Sequence, residues 1–238
     1  MRLKLPYNLL CVGYGRSFPV GTARRRSRSF QFTDIFMTDK HDWHFDRAEQ
    51  RRLKRDKLLK VAAECFNDKG FSGTSLKDVA KSLGITDAAL YYYVKNKEEL
   101  VYLCYVRALD LGEAALERAI NEADTPLEQF ELFLRYQIDE VCGEDGPVAI
   151  MSEISALSPE HRELVLRRAT AHSKRITRII TAGINDGTMA SPNPIASCDA
   201  ILGALNWIPK WYRPNSDLTS EEISDAFVYT FTRGLKIR

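Results

Sequence analysis

Apolar residues recur at the three- and four-residue spacing of amphipathic helices along most of the chain. Leu76, Val79, Ala80 and Leu83 form one such stripe. Gly, Pro and short polar residues separate the stripes, as at helix boundaries. The pattern predicts helices over about 47–70, 75–83, 87–94, 98–123, 126–142, 159–186, 194–212 and 220–235, and a shorter one from Pro147. The sequence therefore predicts an all-α fold.

Two of these helices are short and closely spaced, and their boundaries carry strong capping signals. Thr74 and Ser75 precede the first, with Asp78 placed to complete a capping box. Gly84 ends it, because the residue just past a helix often needs a positive φ. Thr86 then caps the second helix. This spacing predicts a helix-turn-helix.

The outer face of the second short helix has an unusual composition. It begins with Asp87, Ala88 and Ala89 and continues with three tyrosines at 91–93. Small residues at the start of such a helix allow close approach to base edges in the major groove. Tyrosine hydroxyls farther along and the nearby Lys97 are suited to phosphate contacts. The pattern favours a DNA-binding surface.

The run LGITDAALYYYVKNKEEL resembles the DNA-binding signature of the tetracycline-repressor (TetR) family, and the resemblance covers roughly residues 50–105. It implies an N-terminal three-helix DNA-binding domain, a C-terminal helical domain for ligand binding and dimerisation, and a homodimer on a palindromic operator in double-stranded DNA. The implied groove contacts are Lys77, Thr86, Asp87, Ala88 and Ala89. The implied phosphate contacts are Ser75, Tyr91, Tyr92, Tyr93 and Lys97.

Asp87 departs from an ordinary DNA-binding surface. Its carboxylate is able to accept a hydrogen bond from a cytosine amino group but repels phosphate elsewhere. In the alternative interpretation, Asp87 is only a first-turn residue that favours the positive end of the helix dipole. Both interpretations remain open at the level of sequence.

Charge is distributed unevenly behind a formal net value of +2. Residues 47–97, here called the head, contain 12 Lys and Arg against 6 Asp and Glu, whereas residues 98–238, here called the body, contain 14 against 22. A basic module joined to an acidic one indicates nucleic-acid binding at one end only. Arg51 and Arg52 on the first head helix are either phosphate contacts or part of a solvated face.

Residues 1–46 are predicted to be an extension outside both domains. The apolar run at 9–12 is too short for a secretory signal. The Arg-rich stretch at 24–28 is compatible with a DNA-binding arm. We favour the alternative that Met37 is the physiological start, because the sequence from there resembles the polar lead-in of the family.

Enzyme chemistry is not indicated. The sequence contains no phosphate-cradling Gly-rich loop, no HExxH and no GxSxG, and only four histidines. Its five cysteines form no CxxC pair or Cys/His ligand spacing, which predicts reduced thiols, no metal site, no cofactor and a cytoplasmic location. No stretch approaches the length of a membrane span.

The body is predicted to bind a small hydrophobic effector between its helices. The candidate lining residues are aromatic or large and apolar: Tyr102, Tyr105, Leu109, Phe130, Phe133, Tyr136, Met151 and Trp207. His172, at the border of an apolar stripe, is interpreted as a hydrogen-bonded structural histidine rather than as a ligand contact. The family resemblance implies that the last two helices pack against those of a partner as a four-helix bundle.

Residues 204–215, ALNWIPKWYRPN, resemble a run in the TetR branch that controls fatty-acid, sterol or other acyl-thioester metabolism. This resemblance implies an acyl-CoA effector. Alternatively, the aromatic residues here serve dimer-interface packing, since interface cores favour Trp, Tyr and Arg. A further alternative is a DNA-binding adaptor without a small-molecule ligand. A large apolar pocket favours the ligand-responsive regulator, and a filled core favours the adaptor.

Overall fold

A computed structural model describes residues 43–143, 151–213 and 215–235. These lie almost entirely in the second of two compact units, His44–Arg238. The hypotheses about residues 1–42 fall outside the described residues. No helix in the described part of the chain is both long and apolar enough to cross a membrane.

The all-α prediction is confirmed, since the described residues form eight α-helices, one 3-10 helix and no strand. The α-helices are α1 Trp43–Gly73, α2 Leu76–Leu83, α3 Asp87–Tyr91, α4 Lys97–Glu122, α5 Pro126–Cys142, α6 Pro159–Asn185, α7 Pro194–Trp211 and α8 Ser220–Leu235. The 3-10 helix, Met151–Ala156, precedes α6. Most boundaries coincide with the predicted caps, because capping depends on residues close in sequence.

Two helix ends differ from the sequence prediction, and α1 begins at Trp43, inside the predicted 1–46 extension, rather than at residue 47. Helix α3 ends at Tyr91 rather than Val94, because the chain tightens there and the Tyr93 N–H donates to Leu90 O at 2.9 Å. At Gly70, where α1 was predicted to stop, φ is 71° and the chain kinks before one further helical turn. A residue with a side chain is disfavoured at that φ.

The head has its own hydrophobic cluster, which α1, α2 and α3 build around their inward faces. Leu90 of α3 is fully buried in it. The cluster does not stop at the head, since it continues through Leu100 and Cys104 of α4 to Leu157 and Val165 at the start of α6. Helix α4 therefore shares its apolar side between head and body.

The body cluster is centred on α5, which packs against α4, α6, α7 and α8. Phe130, Phe133 and Ile138 of α5 have no exposed surface, and Ile176 of α6 lies against the same cluster. The capping box that opens α5 is present as predicted, with the Glu128 N–H donating to Thr125 Oγ1 at 3.3 Å. The body is thus a packed helical bundle.

Polar contacts also hold the first turns of α4, which directly follow the head, against α6, and one further contact joins α7 to the head. The Ser158 N–H donates to Glu98 Oε1 at 2.8 Å, and His161 Nδ1 lies 2.9 Å from the same oxygen. The His161 ring stacks on Tyr102, with ring centroids 3.8 Å apart. On another side, Lys210 Nζ donates to Asn67 O at 2.7 Å. Contacts made by helices α4, α6 and α7 therefore all help to fix the position of the head.

Candidate nucleic-acid interface and effector region

The helix-turn-helix is held by short-range hydrogen bonds. Ser75 caps α2: its N–H donates to Asp78 Oδ2 at 2.9 Å, and the Asp78 N–H donates to Ser75 Oγ at 3.1 Å. Gly84 has φ 67° and ends the helix, with its N–H donating to Lys81 O at 3.1 Å. Thr86 Oγ1 accepts from the Ala89 N–H at 3.2 Å and so opens α3.

Thr74 does not share the capping role that its position suggested. Its side chain is buried, and Oγ1 donates to Cys65 O and Gly70 O, each at 2.9 Å. Thr74 therefore ties the end of α1 to the turn before α2. Gly70 O lies at the local four-residue spacing, whereas Cys65 O is nine residues away and comes within reach only through the kink of α1, so sequence spacing gave no sign of that second bond.

Most of the predicted DNA-contacting residues lie on the outer surface of the head. Tyr92 is 72% exposed and Tyr91 56% exposed. The exposed members of the set are Ser75, Lys77, Thr86, Asp87, Ala88, Tyr91 and Tyr92. Ala89, Tyr93 and Lys97 are half-buried. The start of α3 thus offers a surface of short side chains with tyrosines beyond it.

Two members of the set also make contacts inside the head. Tyr93 packs against the head cluster and meets Tyr92 edge-on, with ring centroids 5.3 Å apart. Lys97 Nζ lies 4.0 Å from the centroid of the Phe71 ring, in cation–π geometry. These contacts orient the end of the α3 segment and the start of α4 relative to α1.

A groove of about 800 Å³, lined by four arginines and three carboxylates, runs beside these tyrosines. Arg51 and Arg55 of α1 line it together with Tyr92, and the Arg51 guanidinium carbon is 5.9 Å from the Tyr92 ring centroid. Arg52 also lines the groove but pairs with Glu49 at 2.6 Å. Arg55 was not singled out from sequence, although its four-residue spacing from Arg51 places both on one helix face.

The predicted effector-lining residues do not form a single pocket. Tyr105 and Leu109 line one cavity of about 80 Å³ between α4, α5, α6 and α7. Phe130 and Phe133 are fully buried in the body cluster. Tyr102 lies at the head–body contact, and Trp207 is 57% exposed on α7.

Two other residues of the predicted lining lie elsewhere. Tyr136 donates its hydroxyl to Glu122, and the Arg118 guanidinium carbon lies 3.9 Å from its ring centroid, at the far end of α4. Met151 begins the 3-10 helix, and its side chain is outside the described residues. The sequence pattern could not assign these positions, since they depend on how the helices pack.

His172 also lines the small cavity, and its environment differs from the predicted one. The ring is 8% exposed, and Nδ1 has no hydrogen-bond partner among the described residues. The interpretation of His172 as a hydrogen-bonded structural residue is therefore wrong for this nitrogen. Burial lowers the pKa of His172 because it penalises the charged imidazolium, so the ring is neutral at neutral pH.

Helix α7 exposes apolar and small residues along one side. Ala196, Ala200, Gly203 and Trp207 form one exposed row at helical spacing, and Ile195, beside that row, is 63% exposed. Small residues in such a row allow another helix to approach closely. The described residues contain no group of three or more His, Cys, Asp or Glu arranged to hold a metal ion.

Comparisons with known proteins connect this geometry to one family. The family model for bacterial regulatory proteins of the tetR family matches residues 58–102, and the model for the tetracyclin repressor-like C-terminal domain matches residues 123–235. Together the two matches cover well over half of the chain. Each of them spans one of the two parts described above, the helix-turn-helix or the helical bundle.

Individual relatives agree with the family models. The chain is 25% identical over 194 residues to the HTH-type transcriptional repressor KstR2 of Mycolicibacterium smegmatis, covering 80% of this chain and 94% of the relative. Its fold is similar to that of PfmR from Thermus thermophilus, with a TM-score of 0.65, 31% identity, and coverage of 76% and 99%. It is also similar to AibR, solved with isovaleryl coenzyme A and operator DNA, with a TM-score of 0.62, 26% identity, and coverage of 73% and 95%. The chain belongs to the TetR family of bacterial transcriptional regulators.

Proposed function

We propose that this chain is a dimeric transcriptional repressor that binds a palindromic operator through its head and is released by a small hydrophobic effector. The observation that carries the proposal is the exposed start of α3. Thr86, Asp87 and Ala88 project short side chains from a helix that is rigidly capped and backed by the buried Leu90. Such a surface is suited to close approach to base edges.

Phosphate contacts follow from the surrounding surface. Tyr91 and Tyr92 are exposed beyond the groove-contacting residues, and Arg51 and Arg55 line the adjoining groove. Contacts of this kind fix the position of a protein on DNA without specifying sequence. We assign Lys97 to the same role, although its stacking on Phe71 limits its reach.

Dimerisation is supported by the exposed side of α7. A body that leaves Ile195 and Trp207 largely exposed gains free energy when a second copy covers them. Two heads are needed to contact two half-sites about 34–36 Å apart, one turn of DNA. We therefore assign α7 and α8 to the dimer interface, with a two-fold axis that matches the palindrome.

The path from effector to head runs through α4 and α6. Glu98, in the first turn of α4, receives the Ser158 N–H and faces His161. A shift of α6 in the body would therefore move the N-terminal end of α4, which follows directly after the DNA-binding surface. An effector that prefers one arrangement of α4 and α6 would change the spacing of the heads by population shift.

An acyl-CoA thioester is the effector class we favour. The structure of AibR contains isovaleryl coenzyme A and operator DNA together, and that protein shares 26% of aligned residues with this chain. The 204–215 run resembles the TetR branch that controls fatty-acid, sterol or other acyl-thioester metabolism. In this proposal the acyl part enters the body between α4, α5, α6 and α7, where the cavity lies.

One observation favours the adaptor without a ligand. The cavity of about 80 Å³ is far smaller than the roughly 300–1,000 Å³ typical of ligand pockets. Phe130 and Phe133, which were expected to line a pocket, instead fill the core. The ligand-responsive proposal therefore requires the body to open when the effector binds.

A mobility-shift assay separates the two proposals. The full chain is mixed with DNA from upstream of its own gene, alone and with a panel of acyl-CoAs and the matching free acids. A specific protein–DNA complex that one thioester dissociates supports the repressor proposal and identifies the acyl chain of the effector. Specific binding that no ligand releases favours the adaptor, and absence of specific binding contradicts both.

A further inference from the structure

Polar side chains line one part of the small cavity in the body. Gln137 of α5 and His172 of α6 meet there opposite Gly112 of α4, and Asn206 of α7 lies at the exposed edge. A Cβ atom at position 112 would lie 3.1 Å from Gln137 Oε1 and 3.5 Å from His172 Nε2. Glycine at this position therefore leaves room beside both polar side chains.

The rest of the cavity wall is apolar. Tyr105, Leu109 and Leu205 are buried residues of this wall. The His172 ring nitrogen beside Gly112 is Nε2, whereas Nδ1 is enclosed by protein atoms and has no hydrogen-bond partner among the described residues. An apolar cavity with the Nε2 atom of an imidazole and a carboxamide at one end is suited to a ligand that is apolar except for one hydrogen-bonding group.

We propose that this cavity binds the neutral carbonyl group of an apolar effector, with the His172 imidazole and the Gln137 amide as its hydrogen-bonding partners. The inference rests on the proposed function, which it refines by stating which chemical group of the effector is recognised. The cavity volume of about 80 Å³ admits a group of a few heavy atoms, given that one water molecule occupies about 30 Å³ in the liquid.

Charge arguments exclude a carboxylate from this position. The residues lining the cavity include no Lys or Arg. Two arginines of α6 flank His172 in sequence, and both are paired. Arg168 pairs with Glu113 at 2.8 Å, and Arg175 pairs with Glu117 at 2.5 Å. A carboxylate in the cavity would lose its hydration without gaining a counter-ion. A neutral carbonyl loses less free energy of hydration and gains hydrogen bonds in the cavity.

Ketones, esters and thioesters all share the recognised group, and the experiment distinguishes them. The full chain, labelled with ¹⁵N at histidine, is titrated without DNA with methyl isobutyl ketone, with S-methyl thioisovalerate and with isovalerate. We expect the ketone or the thioester to bind at least about tenfold more tightly than isovalerate and to shift the His172 ring signals. The tighter of the two neutral ligands identifies the natural carbonyl class.

Variants on α6 provide the matched control. His172→Phe removes the hydrogen-bonding ring and is expected to reduce the preference for the neutral carbonyl to within about twofold. Thr170→Phe introduces the same ring at an exposed position of α6, outside the cavity, and should keep that preference. Isovalerate binding as tightly as the neutral ligands, or an unchanged preference in His172→Phe, would overturn the proposal.

Two readouts make this test independent of whether the His172→Phe variant folds and of whether the protein binds operator DNA. If His172→Phe does not fold, the ring signals of the unmodified protein decide, because a bound ketone that leaves them unshifted contradicts the assignment. If the neutral ligands bind as expected but the protein does not bind operator DNA, the result contradicts the proposed function and supports the carbonyl site. If the protein binds operator DNA but no neutral carbonyl compound, the result contradicts the carbonyl site and leaves the DNA-binding function supported.

Discussion

The head and the body differ in how they satisfy their buried polar groups. In the head, Thr74 is buried but donates to two backbone oxygens, and the caps at Ser75 and Thr86 are complete. In the body, His172 Nδ1 and Ser224 Oγ are buried without a hydrogen-bond partner among the described residues. These polar groups of the head thus find their hydrogen-bond partners within the single chain. The body retains buried polar groups that would gain partners only if a ligand bound or the helices rearranged.

This difference fits the role that we propose for each part. A DNA-binding surface has to be rigid before DNA arrives, because ordering it on binding would cost affinity. A sensing body has to possess two arrangements of similar free energy, since an effector only shifts an existing equilibrium. Unsatisfied polar groups and shared packing along α4 are compatible with such a second arrangement.

The largest expected effect concerns the core of the body. Phe130→Ala removes a fully buried side chain and should lower the free energy of unfolding by about 3–5 kcal/mol. Leu218→Ala, at a 51% exposed position, should change it by less than about 0.5 kcal/mol. Urea unfolding followed by circular dichroism measures both. Equal effects would show that the body does not pack as described.

A second prediction concerns the surface of the head. Ala88→Glu places a carboxylate at the exposed start of α3, and operator affinity should fall by about 100-fold through repulsion from DNA. Ala114→Glu makes the same change at an exposed position of α4 in the body and should leave affinity within about twofold. Fluorescence anisotropy with a labelled operator duplex reports both, and a matching loss in the two variants would contradict the assignment of α3.

A smaller effect is expected at the cap of α2. Ser75→Ala removes the acceptor of the Asp78 N–H and should destabilise the chain by about 1 kcal/mol. Ser72→Ala, an exposed serine before the turn, is the control and should be nearly neutral. Thermal unfolding distinguishes them. A neutral Ser75→Ala variant would show that the capping box contributes nothing to the head.

The smallest effect is a pH dependence that belongs to the body. The pKa of folded His172 is below its unfolded value of about 6.5, so the unfolded state binds a proton more readily. The stabilising contribution of the neutral ring is complete above that unfolded pKa and is lost as the pH falls below it. Between pH 7 and pH 5, roughly the window of histidine titration, wild type should lose more stability than His172→Phe. Parallel unfolding curves over this window would contradict the burial of His172.

Sequence reasoning succeeded where structure is set by neighbouring residues. The caps at Ser75, Thr86 and Thr125 and the left-handed Gly84 follow from side chains three or four positions away, and all are present. The family signature in α2 and α3 depends on the same local pattern. The two interpretations of Asp87 stay open, since they depend on DNA.

Tertiary packing limited the rest of the prediction. Thr74 was expected to cap α2 but is committed to the end of α1. Trp207 satisfies a helical apolar pattern, yet the bundle leaves it largely exposed because α7 turns that side outward. The unsatisfied nitrogen of His172 depends on what α4 and α5 place around it, which no spacing within α6 reveals.

The central claim is that two heads of one dimer occupy two half-sites of an operator. Hydroxyl-radical footprinting of the full chain, on the DNA fragment that it retards in a gel, tests this directly. We expect two protected patches related by two-fold symmetry, with centres about one helical turn apart or slightly more. A single asymmetric patch, or uniform protection without a preferred position, would contradict it.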